Sequence, residues 1–213
     1  MSRQISVGSL ICCVGLLVGA VLLRGAEQTN VAVYDGRWWL SISVGERSGF
    51  VPGYIDCYLF HVKGPADFAK PLTAYRDSVT KYYEADSAHS DQPVSQVLMR
   101  LESRMGAIPA VRGGEFHKGS HSYFDGLYWS QLGALGGVEQ QRGFVEGYLS
   151  CQASVPVAQR LTFSNSADDY RQLVSRWYRL NDEGEVVDTE RSAAKIGDVL
   201  LMLRDDTAPP DRK

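Results

Sequence analysis

A nine-residue pattern occurs twice in this chain and constrains its fold more than any other feature. Gly49-Phe50-Val51-Pro52-Gly53-Tyr54-Ile55-Asp56-Cys57 matches Gly143-Phe144-Val145-Glu146-Gly147-Tyr148-Leu149-Ser150-Cys151. Tyr34-Asp35-Gly36-Arg37-Trp38-Trp39 stands before the first, and Phe124-Asp125-Gly126-Leu127-Tyr128-Trp129 before the second. Downstream, Phe68 pairs with Phe163, Tyr75-Arg76 with Tyr170-Arg171, Val79 with Val174, Tyr82-Tyr83 with Trp177-Tyr178, and residues 94–98 with 196–200. The offset grows from 90 to 94, 95 and 102 residues. Extra residues thus fall between blocks, where loops tolerate them. Ordered self-similarity of this kind reads as an internal duplication.

The blocks carry helical periods. Phe50, Tyr54 and Cys57, like Phe144, Tyr148 and Cys151, are spaced 0, +4, +7 on one helix stripe. Gly53 and Gly147 share that face. Mid-helix glycine costs about 1 kcal/mol against alanine, so its recurrence at Gly53 and Gly147 predicts another backbone close by. Pro52 suits only a first turn, which starts that helix near Ser48 or kinks it. Tyr75, Val79, Tyr82 and Tyr83 form the third helix. Val94, Val97, Leu98 and Leu101 form the fourth, with Pro93 in its first turn after Asp91, and Ile196, Val199, Leu200 and Leu203 repeat the fourth period. Residues 184–188 suit a short strand or hairpin arm. The expected fold is all-α: two tandem four-helix repeats packed as a pseudo-symmetric helical domain behind an N-terminal signal or hydrophobic helix.

Residues 5–23 carry no charge and follow Arg3, which reads as an export signal. Cleavage after Ala20 or after Ala26 is open, and a run of about 19 apolar residues also has the length of an uncleaved membrane anchor. The expected organisation is residues 1–26 as signal or anchor, 32–104 as repeat one, 105–122 as linker, 123–205 as repeat two and 206–213 as a frayed tail. Gly106, Gly113, Gly114, Gly119 and Pro109 mark the linker. Without the signal the chain has 20 basic against 25 acidic residues, net −5. That charge gives nucleic acid no concentrated positive surface. Cys57 and Cys151 remain, and in an oxidising compartment they either bridge the two copies or stay buried as separate thiols.

Each copy reads as G-[FY]-x-x-G-Y-x-x-[small], then a loop, a Tyr-rich helix and a Val/Leu helix. The positions are Gly53-Tyr54 and Gly147-Tyr148, Tyr82-Tyr83 and Trp177-Tyr178, and the helices from Val94 and Ile196. In this the chain resembles the Rap/Tai type of periplasmic immunity proteins, small all-α proteins that protect bacteria from cell-wall-cleaving amidase toxins delivered by type VI secretion. The resemblance covers most of residues 48–103 and 142–205. It implies a periplasmic, non-enzymatic protein whose partner is another protein, such as a cell-wall hydrolase. The chain departs from the family in carrying two copies and one cysteine per copy instead of disulfide-forming pairs.

Candidate chemistry is sparse. Trp38-Trp39 and Tyr128-Trp129 can line a groove for a stacked ligand such as a glycan, or Asp35 and Asp125 can cap a first helix and leave one aromatic of each pair in the core. Arg76 and Arg171 recur and can bind an acidic group or form surface ion pairs. Glu46 and Glu139, four and five residues before the next Phe, are the one pair of similarly placed acids for acid–base hydrolysis, although helix starts attract Glu for electrostatic reasons alone. His117 and His121 lie in the glycine-rich linker, which argues against a metal site. No Ser/His/Asp order, Walker pattern, Cys-x-x-Cys or zinc signature occurs. No cofactor and no metal are expected, and membrane contact is expected only through residues 5–23. The expectation is an exported binding protein; an envelope protein held by an uncleaved anchor is the alternative, and a Glu46/Glu139 hydrolase the remote one.

Overall fold

In the computed structural model, residues 34–61, 70–102, 124–181, 184, 186 and 188–205 are described. All lie in the unit Val33–Lys213. The signal, the linker with His117 and His121, and the tail fall outside the described residues.

The repeated glycines organise the packing. Helix α1 spans Gly36–Ser41, α2 Val44–His61, α3 Leu72–Ala85, α4 Val94–Leu101, α5 Gly126–Ser154, α6 Ala167–Tyr178, α7 Thr189–Ser192 and α8 Ile196–Asp205, with 3-10 turns at Ser87–His89 and Val157–Gln159. The described residues are all-α, with three isolated bridge contacts, Asp35 to Pro93, Asp125 to Lys195 and Leu180 to Val186. That last contact is what becomes of the proposed hairpin arm. Helices α2 and α5 make the most extensive contact. A Cβ added at Gly49 would lie 1.9 Å from the Gln140 carbonyl oxygen, at Gly53 1.9 Å from that of Phe144, at Gly143 2.0 Å from that of Glu46, and at Gly147 2.0 Å from that of Phe50. Residue numbers rise together along both helices, so they run parallel with their backbones touching. Any larger side chain would force them apart.

Around each helix of this pair the same kinds of contact occur. Asp35 caps α1 by accepting from Trp38 N at 2.9 Å, and Asp125 caps α5 by accepting from Tyr128 N at 3.2 Å. Such caps satisfy amides that the first turn leaves without partners. Gly36 lies against the Tyr83 ring and Gly126 against that of Tyr178. Tyr83 Oη donates to Gln92 O and Tyr178 Oη to Ala194 O, both at 2.9 Å. Val94 N donates to Tyr34 O and Ile196 N to Phe124 O, again both at 2.9 Å. Tyr75, Val79 and Tyr83 bury one face of α3, and Tyr170, Val174 and Tyr178 one face of α6. They pack into a core with Phe50, Tyr54, Phe144 and Tyr148.

Three boundaries differ from the sequence reading. Helix α2 begins at Val44 rather than near Ser48, leaving Pro52 inside it. A capping box starts it early: Ser43 Oγ accepts from Glu46 N, and Glu46 Oε2 accepts from Ser43 N, both at 3.1 Å. Pro52 then deprives the Ser48 carbonyl of its helical donor, a loss the buried glycine seam outweighs. In the second half the first two blocks run as one helix, broken only where Gly137 takes φ 64° and ψ −163°. The four-residue step in offset, from 90 to 94, is absorbed there. Pro93 stands just before α4, at its N-cap, with Val94 as the first helical residue.

Candidate functional site

The two ends of the α2–α5 seam are built from different chemistry. At the C-terminal end Cys57 and Cys151 form a disulfide across the helices, 94 residues apart in sequence, with both residues fully buried. Around it lie buried polar groups, Asp56, Ser150 and Gln152. Burial, with the Asp56 carboxylate adding to it, pushes the Tyr148 phenol above its ordinary range. Burial likewise pushes the His61 imidazole down.

At the N-terminal end three charged side chains meet. Arg142 Nε lies 3.3 Å from Glu46 Oε1 on α2 and 3.2 Å from Glu146 Oε1 on its own helix. Arg142 is half exposed, while the Glu146 side chain is only 6% exposed. Glu146 Oε2 is buried without a hydrogen-bond partner. Burial raises the Glu146 carboxyl from 4.5 to about 7, with Arg142 opposing the rise and Glu46 adding to it. The cause is physical: an ionised carboxylate loses its hydration here, and half of one guanidinium replaces it poorly. Tyr34, just before α1, feels the same charges, and burial raises its phenol beyond the ordinary range.

One turn further toward the N-terminal end, Ser43 links both candidate acids. Its Oγ donates to Glu139 Oε2 at 2.6 Å, while its amide holds Glu46. Glu46 and Glu139 are therefore neighbours, with Glu46 occupied by a helix cap and an ion pair. Among the residues flanking this junction in sequence, large apolar side chains face solvent: Leu40 is 39% exposed, Val44 62%, Leu135 84% and Val138 60%, and elsewhere Leu127, Val157 and Met202 are exposed too.

The remaining sequence candidates have internal duties. Trp39 and Trp129 are sealed in the core, their indole Nε1 groups donating to Thr80 Oγ1 and Ser175 Oγ at 3.0 and 3.1 Å. Neither offers a ring face to a ligand, which corrects the groove reading. Trp38 and Tyr128 are half-buried and pack on Tyr34 and Phe124, with centroids 4.8 and 4.3 Å apart. Arg76 donates to Asp77 and Ser48, and Arg171 to Asp168. Each guanidinium thus has a neighbouring carboxylate, as in the ion-pair alternative. Among the described residues no group of three or more His, Cys, Asp or Glu can hold a metal, and no helix is long and apolar enough to cross a membrane.

Sequence reasoning missed Arg142, Glu146 and the apolar rim. A signal for Glu146 was present, since a charged side chain stands there in place of Pro52 within the shared G-F-V-x-G-Y run. The chain matches no family model, no curated protein and no solved structure.

Proposed function

We propose that this chain is two tandem copies of one four-helix unit, exported across the inner membrane, and that it acts by binding a protein partner without turnover. The observation that carries the reading is that four of the seven exposed large apolar side chains among the described residues, Leu40, Val44, Leu135 and Val138, flank the Ser43–Glu139 contact in sequence, the other three being Leu127, Val157 and Met202. Large apolar side chains left facing solvent together mark protein-interaction surfaces, and these four come from the segments that meet at this end of the seam. The most exposed of them, Leu135, sits beside the Gly137 break, where the second half holds residues with no counterpart in the first. The net charge of −5 for the exported part and Glu139 at the rim favour a partner whose apolar surface is flanked by basic residues. The Cys57–Cys151 disulfide supports an oxidising compartment, because thiols in the cytosol are kept reduced. An immunity-like role, in which the rim covers a cell-wall hydrolase, fits this chemistry and the resemblance of the sequence.

The test is capture from a periplasmic extract with the wild type and with Leu135→Asp/Val138→Asp. The proposal expects a stoichiometric protein partner, retained by the wild type and lost by the variant. Recovery of no partner, or of the same partner by both, contradicts it.

A further inference from the structure

We propose that Glu146 is a proton-operated latch on the α2–α5 seam, holding its N-terminal end shut when protonated and loosening it when ionised. The geometry carries this. Two carboxylates, one from each helix, compete for a single guanidinium at 3.3 and 3.2 Å. They do so where the backbones touch: a Cβ on Gly143 would meet the Glu46 carbonyl oxygen at 2.0 Å. One oxygen of Glu146 is buried with no partner. The groups facing it are Glu46 from α2, Arg142 from α5 and Tyr34 from the segment before α1. Asp168 on α6 also lies within the field of Arg142.

With a proton on Glu146, Glu46 has Arg142 to itself and the buried oxygens carry no net charge. When the proton leaves, two anions share one cation in a site from which water is largely excluded. The cheapest relief is to part the helices at this end and admit water. The disulfide prevents the same movement at the other end. Burial places the transition near neutrality, at about 7. The latch depends only on these contacts and not on what the rim binds.

Hydrogen exchange of the full chain, followed by mass spectrometry at about pH 5.5 and about pH 8.5 and corrected for the intrinsic base-catalysed rate, tests it. Protection of residues 44–50 and 138–146 is expected to fall about tenfold or more on going to the higher pH. Residues 54–60 and 148–154 are expected to stay unchanged. Glu146→Gln should abolish the fall. Equal protection at both pH values in the wild type, or an undiminished fall in Glu146→Gln, overturns the proposal. Should Glu146→Gln not fold, Glu46→Gln serves instead. It keeps the capping box but leaves Arg142 to Glu146 alone, so it should shrink the fall, and an unchanged fall in that variant also overturns the latch.

Discussion

The two ends of the α2–α5 seam solve one problem differently. Both must hold parallel helices in backbone contact. The Cys57 end uses a covalent bond between fully buried sulfurs, and the Glu146 end uses a guanidinium shared by two acids. A covalent link holds whatever the pH. A shared ion pair holds only while its charges balance, and a buried carboxylate without a full set of partners is costly. The seam thus has one fixed and one adjustable end, with glycine contacts between them.

The harshest way to break that comparison is to remove the contact both ends depend on. Gly53→Ala combined with Gly147→Ala would drive methyl groups toward the Phe144 and Phe50 carbonyl oxygens, which lie 1.9 and 2.0 Å from the new Cβ positions. Neither is a flexible side-chain end that could move aside. Loss of the folded state is expected, read as loss of the near-UV circular dichroism of the buried aromatics.

Removing the fixed end alone should cost less. Cys57→Ser/Cys151→Ser frees a loop of 94 residues. A loss of about 4.7 kcal/mol in urea unfolding is expected from restored chain entropy. The protein should remain folded under mild conditions, because the glycine contacts persist.

The adjustable end is probed by pH. The native Glu146 carboxyl keeps its proton up to about 7, while in an unfolded chain it releases it near 4.5. Between those values the native state binds more protons, so this group makes stability fall as pH rises, by about 3 kcal/mol at most. Glu146→Gln should flatten that dependence and make the protein more stable than wild type near pH 8. A wild type that gains stability over this range relative to Glu146→Gln would contradict the assignment.

Smaller effects sharpen the contrast between buried and exposed positions. Asp125→Ala removes the acceptor for Tyr128 N, and about 1 kcal/mol should be lost in urea unfolding. Leu135→Asp alters a side chain that is 84% exposed. Its stability should change by no more than about 0.5 kcal/mol, read in the same urea unfolding.

Local patterns were legible in the sequence and contacts across the seam were only partly so. The periods of Phe50, Tyr54 and Cys57 and of Tyr75, Val79 and Tyr83 report burial directly, since a helix turns its side chains to one face at fixed spacing. All six are buried. Gly53 and Gly147, recurring on that face, point to a near backbone, and both lie against carbonyl oxygens, as Gly49 and Gly143 also do. Pro52 misled because local propensity weighs the proline alone. The capping box at Ser43 and Glu46 and the seam around Gly49 outweigh it. The charged trio was hidden because Glu46 and Arg142 come from different halves of the chain, and no local spacing brings them to one guanidinium. Gly137 hid for a related reason: a single left-handed residue lets a helix resume past an insertion, so what reads as two helices becomes one broken run.

The central claim is that α2 and α5 lie parallel and in register, residue 57 level with residue 151. Peptide mapping of the protein by mass spectrometry without reduction tests it directly. A single cross-linked species joining the Cys57 and Cys151 peptides, absent after reduction, is the predicted result. Two thiols free to alkylate, or either cysteine joined to a different partner, would contradict it.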